Sequence, residues 1–448
     1  MAMPTHRLSG RGAMLRLSAL VGERELIERN DAFRRLWLAK LLTHTPTNAI
    51  VYTMLILVVN ATGRSFFSSL FVVAYIAPTA FLGSFSGVLV DRMPKAVVLG
   101  ATNAIRALLC VLLAISTDSI LVIYIIAVLF AVGSQFGGPA EGASLPTLVE
   151  PEELTSANSL NNLQGLVSQA LGLALLPTLF LKTVGAAPLA LVCAALFAAG
   201  AINFFLIEQL GGAVSRVPVS IAETRERFAE AWQRLTYDSV AYVSLVIVVL
   251  TNTTGLVVMT LLPRYTADVL NVTAENMVFV AAPAAAGIWL ALRLARRLSE
   301  RVSPWWSVGG SFSALVGCVA LLAFVGPLGD AVHDANPLGL FDPGPFGESS
   351  ARIAVSSLLA PVLAFAFTFV NIVGRSILNR RVPRDMQGRV IAAQSVLTNL
   401  ASIPPVLFTG LLADAFGVTP VFFLVAVTCG ALALYFAARN AAMPGRPA

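Results

Sequence analysis

The stretch Gly-Val-Leu-Val-Asp-Arg-Met-Pro-Lys, residues 87–95, is a short charged turn between two long apolar runs. Gly83 and Gly87 form a Gly-x-x-x-Gly pair, a spacing that lets a neighbouring helix approach closely within a membrane. Asp91, Arg92 and Lys95 follow where the first apolar run ends, so we expect their charges to lie at the boundary between lipid and water. The pattern predicts a polar turn that joins two membrane-spanning helices.

The composition of the whole chain agrees with this prediction. Of 448 residues, 57% are hydrophobic and 12% are charged, whereas a soluble domain has about 25% charged residues. A soluble enzyme of this length would need charged surface that this chain lacks. The net charge of +6 is spread over short clusters between apolar runs. Because nucleic-acid-binding proteins concentrate basic residues on one face, we expect no nucleic-acid partner.

Hydropathy predicts twelve spans in two groups of six, with both groups entirely helical because lipid offers no partner to an unpaired backbone amide. The first six are predicted near residues 35–59, 65–90, 96–116, 120–141, 159–182 and 187–208. The second six are predicted near residues 239–263, 275–297, 305–327, 351–379, 389–413 and 418–438. The fold class is therefore an all-α membrane protein with two six-helix bundles.

The positions of lysine and arginine predict the orientation, because cytoplasmic loops carry an excess of both. Most of them fall on the side of the N-terminus, and the opposite side holds only Arg64, Lys182, Arg264 and Arg352. We therefore expect a multi-pass protein of the inner (plasma) membrane with both termini in the cytoplasm. Residues 1–33 are predicted to be a cytoplasmic arm rather than a signal peptide, and 439–448 a cytoplasmic tail.

The chain divides into two bundles, residues 34–208 and 239–438, joined by a cytoplasmic linker, 209–238. Ser220 and Glu223 form a capping box at the start of an apolar helical stripe, which predicts an amphipathic helix along the membrane surface. That helix is either a tether between the bundles or a regulatory site.

Metal, redox and enzymatic chemistry are poorly supported. The cysteines lie singly in apolar runs, without metal-ligand or disulfide spacing: Cys110, Cys193, Cys318 and Cys429. Asp330, His333 and Asp334 stand together in a stretch rich in Gly and Pro, 328–350, predicted to be an external loop, and three ligands in a loop rarely hold a metal. No nucleophile–base pair or phosphate-binding loop is found. We expect no metal, no cofactor and no enzymatic activity.

The turn at 87–95 resembles the loop signature of the major facilitator superfamily, Gly-x-x-x-Asp-Arg followed by a basic residue. Arg106 and the segments 138–158, 383–390 and 410–417 are similar to the branch of drug–proton antiporters that includes macrolide and siderophore exporters. The resemblance spans residues 34–438 and implies the major facilitator fold and transport by alternating access.

The resemblance also implies that Asp91 faces the start of the eleventh span, near Gly388 and Arg389. A carboxylate there would meet the positive end of a helix dipole and hold a cytoplasmic gate shut. The alternative is that Asp91 and Arg92 merely anchor the loop.

Arg106 falls near mid-membrane, where a charge is costly and needs a partner or water. The candidate partners are Asp91 and Glu141; relatives of this branch often have an acidic residue three positions before the arginine, which is Asn103 here. Arg106 either stabilises the motif network or contacts an anionic part of a substrate. Asp91 and Glu141 are also the candidates for coupling transport to a proton gradient.

Polar residues at mid-depth in the first, fifth, seventh and eleventh spans predict a central cavity between the bundles. They are Thr47, Asn48, Asn162, Gln169, Asn252, Thr253, Gln394 and Asn399. The alternative is that they hydrogen-bond between helices. His44, on the same threonine-rich face as Thr47, either titrates near neutral pH or donates within the bundle.

These patterns predict a secondary transporter that exports an amphipathic or hydrophobic small molecule. The main alternative is a lysophospholipid transporter of the same superfamily, and a more remote one is a membrane sensor that binds its ligand without moving it. We expect a monomer whose other partners are membrane lipids.

Overall fold

The computed structural model describes residues 26–212, 239–272, 280, 282–301, 304–334, 350–381 and 387–441. Residues 213–238, which carry the predicted linker helix, lie outside this description. So do most of the predicted N-terminal arm and residues 442–448 of the predicted tail.

Every regular element in the described ranges is a helix. The first half has α1 (Asp31–Thr62), α2 (Ser65–Val90), α3 (Lys95–Ala114), α4 (Ile120–Leu148), α5 (Leu154–Gln169), a π-helical turn (Ala170–Leu175), α6 (Leu176–Thr183), α7 (Ala186–Phe205) and a 3-10 turn (Glu208–Leu210). The second half has α8 (Ser239–Asp268), α9 (Ala284–Arg301), α10 (Pro304–Leu322), α11 (Val325–Asp334), α12 (Ser350–Arg381), α13 (Gln387–Phe416) and α14 (Val418–Ala441).

The all-helical membrane architecture is the predicted one. Within the described ranges, ten helices are long and apolar enough to cross a membrane, or eleven if α10 and α11, which meet at an angle of 68°, form one bent span. A shorter apolar segment, Ala284–Ala295 in α9, occupies the place of the predicted eighth span. Eleven of the twelve predicted spans thus coincide with one helix or with consecutive helical segments, and the described part of the eighth lies in α9.

One predicted boundary is wrong. The external loop predicted from residue 328 begins instead with α11, which reaches Asp334. Pro327 lies in the first turn of this helix, where a proline costs no hydrogen bond. Arg352 of α12 binds both carboxylate oxygens of Asp330 at 2.9 and 3.1 Å, which ties the short helix to the next span.

The outer surface of the helices is apolar, as a surface in contact with lipid must be. Leu108, Leu358 and Leu434 are each at least 70% exposed, and a soluble protein rarely exposes so many large apolar side chains together.

Each half also has an interior of its own. Phe130 packs edge-on against Phe197 in the first half, while Tyr265 packs against Phe422 in the second, at centroid distances of 5.7 and 5.3 Å.

The helix ends define two faces of the molecule. On the N-terminal face, Asn30 caps α1 by accepting from the Phe33 amide and donates to the carbonyl of Leu148 at 2.7 Å. Arg29 pairs with Glu153 on the same face. The turn at 91–95 also lies there, since α2 runs back from the other end. The opposite face carries the turn at 63–64 and the ends of α8 and α13.

The first and fifth spans cross at very short range. A Cβ at Gly172, in the π-helical turn, would overlap the carbonyl oxygen of Thr45 and lie 2.7 Å from Asn48 Cβ. Only glycine fits this approach. Pro46 lies in α1 at the same level and has no amide hydrogen, and the Thr45 hydroxyl donates to Ser168 Oγ at 3.2 Å. The π-helical turn therefore lies where the first and fifth spans cross at short range. Such turns are often found near functional sites.

Candidate functional site

A carboxylate and two basic side chains meet inside the first half, and we call them, with Asn161, the Glu141 cluster. His44 Nε2 lies 3.0 Å from Glu141 Oε2, and Lys40 Nζ lies 3.7 Å from the same oxygen. Lys40 also donates to Asn161 Oδ1 on α5 at 3.3 Å. Lys40 and His44 are four residues apart, which puts them on one face of α1 and lets both reach α4.

The Glu141 cluster is buried unevenly. The side chains of Glu141 and Lys40 are each 13% exposed, whereas the His44 ring is 41% exposed. A charge at this depth is costly, and it is retained in membrane proteins mainly along substrate and proton pathways. The imidazole ring is therefore the accessible side chain of the cluster, and the carboxylate lies behind it.

Arg106 makes contacts of its own. Its Nη2 donates to Ser134 Oγ at 2.7 Å, its Nε is buried without a partner among the described atoms, and the guanidinium lies 5.8 and 5.9 Å from the ring centroids of Phe130 and Phe197. Among the described side chains, no ion pair joins Arg106 to either of its two predicted partners, Asp91 and Glu141. The helix faces that carry these three groups do not bring them into contact.

Asn103, one turn before Arg106, makes its own bonds. It accepts from the Thr43 hydroxyl at 2.8 Å and donates to the carbonyl of Leu99 at 2.8 Å. It therefore ties α3 to α1 where the resemblance leads one to expect an acidic residue.

The residues of the charged turn lie at the end of α2 on the N-terminal face. A Cβ at Gly83 would lie 3.5 Å from Val396 of α13, an ordinary contact, and at Gly87 it would meet no described atom within 4 Å. Asp91 is exposed and ends α2, and the Lys95 ammonium donates to its carbonyl at 3.4 Å.

The predicted gate contact of Asp91 is with side chains outside the described part of the chain. The Asp91 carboxylate has no hydrogen bond within the described part of the chain. The side chains at 387–393, its predicted neighbours, lie outside that part. Arg92 has its Nη2 buried without a described partner.

The predicted cavity residues of the first half lie on α1 and α5. Asn162 and Gln169 are exposed, Asn48 is half-buried, and Thr47 turns its hydroxyl back to the carbonyl of Thr43 at 2.7 Å. Two of the four side chains are therefore accessible, and one hydroxyl is satisfied within its own helix.

The predicted cavity residues of the second half lie on α8 and α13. Asn252 donates to Asn371 Oδ1 at 3.0 Å, and the Thr253 and Ser402 hydroxyls lie 2.7 Å apart. Asn399 donates to the carbonyl of Ser395. Gln394 is 4% exposed, and its Oε1 has no partner among the described atoms. Within the described part, Gln394 thus holds an acceptor without a partner, whereas its neighbours bond between or within helices.

Sequence reasoning missed two sets of residues. Lys40 is not among the predicted site residues, yet its spacing of four from His44 puts both on one face of α1. Asp414 and Arg264 are not among the predicted site residues either. In the structure Asp414 Oδ1 lies 2.9 Å from Arg264 Nη1 on the opposite face. Asp414 also accepts from the Ser65 amide, and this bond joins the second half of the chain to the first.

Comparison with known proteins gives one family. The model described as Major Facilitator Superfamily matches residues 36–402. No curated protein matches the chain by sequence.

Several solved transporters share the fold. The nucleoside transporter NupG superimposes with a TM-score of 0.68 at 12% identity, over 91% of this chain and 98% of that one. A bacterial homologue of the iron transporter ferroportin in an inward-facing state gives 0.65 at 14% identity, over 91% and 99%. A bacterial homologue of the lysosomal transporter Spinster, inward-facing and occupied, gives 0.64 at 14% identity, over 92% and 97%. At these identities the likeness concerns the fold alone.

Proposed function

The chain belongs to the major facilitator superfamily, and on that premise we propose that it is a secondary transporter that exports an amphipathic or hydrophobic small molecule by alternating access. The observation that carries the proposal is the Glu141 cluster, a titratable group placed where two helices of one half meet. A titratable group in apolar surroundings costs free energy, and in membrane proteins such groups mark substrate or proton pathways.

We propose further that the proton gradient drives export through this cluster. Protonation of Glu141 removes its attraction for Lys40 and His44, so α1 and α4 would separate more readily when the proton is bound. The half-exposed His44 ring supplies the route for that proton. This assignment favours Glu141 over Asp91 as the coupling residue, because Asp91 is exposed at a helix end and its charge costs little there.

The substrate chemistry follows from the polar groups available. Asn162, Gln169 and the free acceptor of Gln394 offer neutral hydrogen bonds on both halves. A largely apolar molecule with a few hydrogen-bonding groups matches this lining, and pockets for such molecules are mostly apolar with few polar groups.

The remaining assignments are part of the same proposal. The N-terminal face is taken as cytoplasmic on the distribution of lysine and arginine, in a plasma membrane, with the chain acting as a monomer. It would need no cofactor beyond the proton gradient and catalyse no reaction.

The test is flux through the purified protein in proteoliposomes. Panels of amphipathic dyes and of fluorescent lysolipids are compared with and without a pH gradient, with protein-free vesicles as the control. Gradient-driven dye movement supports the proposal. Lysolipid movement without a gradient would replace it by a lipid transporter, and ligand binding without flux of either panel would replace it by a sensor.

A further inference from the structure

The first turn of α2 is capped by the other half of the molecule. Its own N-cap residue, Arg64, makes no side-chain cap. Instead Asp414, near the end of α13, accepts from the backbone amides of Ser65 at 2.7 Å and Phe66 at 3.0 Å. Amides in the first turn of a helix have no partner in that helix and carry its positive dipole end, so a carboxylate is a strong cap there.

Arg264 extends this contact to a third helix. Its guanidinium donates to Asp414 Oδ1 at 2.9 Å and to the carbonyl of Gly63 at 2.7 Å. Both α8 and α13 of the second half are therefore bonded to the turn between α1 and α2 of the first half. Asp268 also accepts from Arg264, but only one turn along the same helix.

The packing beneath these bonds closes the opposite face. A Cβ at Gly410 of α13 would overlap the Ser69 hydroxyl of α2. Leu262 of α8 packs against the buried pair Tyr52 and Ile56 of α1, and Ile56 is 1% exposed. A pathway between the halves therefore cannot reach the opposite face until these contacts separate.

We propose that Asp414 and Arg264 are positioning residues for transport, forming a latch that must release the amides of Ser65 and Phe66 before the pathway opens on the opposite face. Their side chains are 22% and 26% exposed, so water can replace each partner on release. The inference rests on the proposed transport function. It gives the helix pair α2 and α13 a carboxylate at each end, Asp414 here and Asp91 on the other face.

The test measures opening directly with single cysteines in a variant that lacks the four native ones. The labelling rate of Ile56→Cys reports access to the space under the latch from the opposite face. The labelling rate of Asn162→Cys reports access from the N-terminal face. Each is labelled in membranes by a charged, impermeant maleimide added from its own side. Asp414→Asn is expected to speed labelling of Ile56→Cys and slow labelling of Asn162→Cys, by about 5–150-fold if the latch has a typical coupling strength.

Two further variants keep the test decisive. Arg264→Gln removes the bond to Asp414 while leaving the carboxylate cap, and it is expected to change the two labelling rates in the same opposed directions. It replaces Asp414→Asn in the test if that variant does not fold. Asp268→Asn removes a bond within α8 alone and should leave both rates unchanged. Unaltered labelling in both latch variants, or faster labelling at both cysteines together, would overturn the latch. Because no substrate is added, this result stands apart from the transport assay that tests the proposed function.

Discussion

His44 Nε2 and Glu141 Oε2 lie 3.0 Å apart across two helices, although 97 residues separate them in the sequence. The contact joins the accessible side chain of the Glu141 cluster to its buried acid. The ammonium group of Lys40 lies 3.7 Å from the same oxygen. The net charge of the Glu141 cluster therefore changes when one proton is gained.

Replacing Glu141 by glutamine should abolish the response of transport to a pH gradient. The amide keeps the shape of the side chain but cannot take up a proton or hold the charge of Lys40. Substrate exchange without a gradient should persist, because it needs only the alternation of the two halves. Flux and counterflow in proteoliposomes measure the two quantities separately.

Glu152, an exposed acid on the N-terminal face, provides the matched control. Glu152→Gln should leave gradient-driven flux as it is. If Glu141→Gln still responded fully to the gradient, coupling would have to be assigned elsewhere, with Asp91→Asn as the next variant to measure.

Replacing Lys40 by methionine should lower stability by about 1–3 kcal/mol, the usual penalty for leaving a buried hydrogen-bonding group short of a partner. The double variant with Glu141→Gln should recover most of this loss, because it removes both charges. Thermal unfolding in detergent gives the required four-way comparison. Additive losses in the double variant would mean that the two groups do not interact.

Replacing Gly172 by alanine should destabilise the crossing of the first and fifth spans. The new methyl group would overlap the Thr45 carbonyl, and overpacking of this kind typically costs about 1–3 kcal/mol. Gly165→Ala is the matched control, since a Cβ there meets no described atom within 4 Å. Equal melting temperatures for the two variants would contradict the close crossing.

Replacing Gln394 by leucine should weaken the binding of substrates that carry a hydrogen-bond donor. The free Oε1 is the acceptor that is lost, and a bond of about 1–1.5 kcal/mol corresponds to roughly a tenfold rise in KM. A substrate analogue without the donor should bind both proteins equally. An equal rise in KM for the two substrates would indicate a general distortion of α13.

The helices were predictable because their signal is local. A run of about 20 apolar residues is a property of adjacent positions. At α9 the described apolar segment, Ala284–Ala295, is shorter than the predicted span. The bend between α10 and α11 was missed because a single hydropathy window averages over it. The break falls between Leu322 and Val325, inside the predicted ninth span.

The charged contacts were harder to predict because they depend on how helices rotate against one another. Arg106 was expected to meet an acid, and Ser134 and two aromatic rings surround it instead. The sequence alone argues against a pairing of Arg106 with Asp91, because Arg106 lies eleven residues beyond Lys95, about 16 Å along a helix. Asp91 lies farther back still. The pairing of His44 with Glu141 had no comparable signal, because nothing in either segment fixes which face of α1 meets α4.

The cap of α2 also bears on how the chain matures during synthesis. The amides of Ser65 and Phe66 receive their acceptor from a residue 349 positions later. The first half therefore leaves the ribosome with the start of its second helix unfinished, and domains that emerge first generally fold first. Only after the penultimate span has been made can that helix end acquire its final bonding, so the start of α2 is completed later than the rest of the first half.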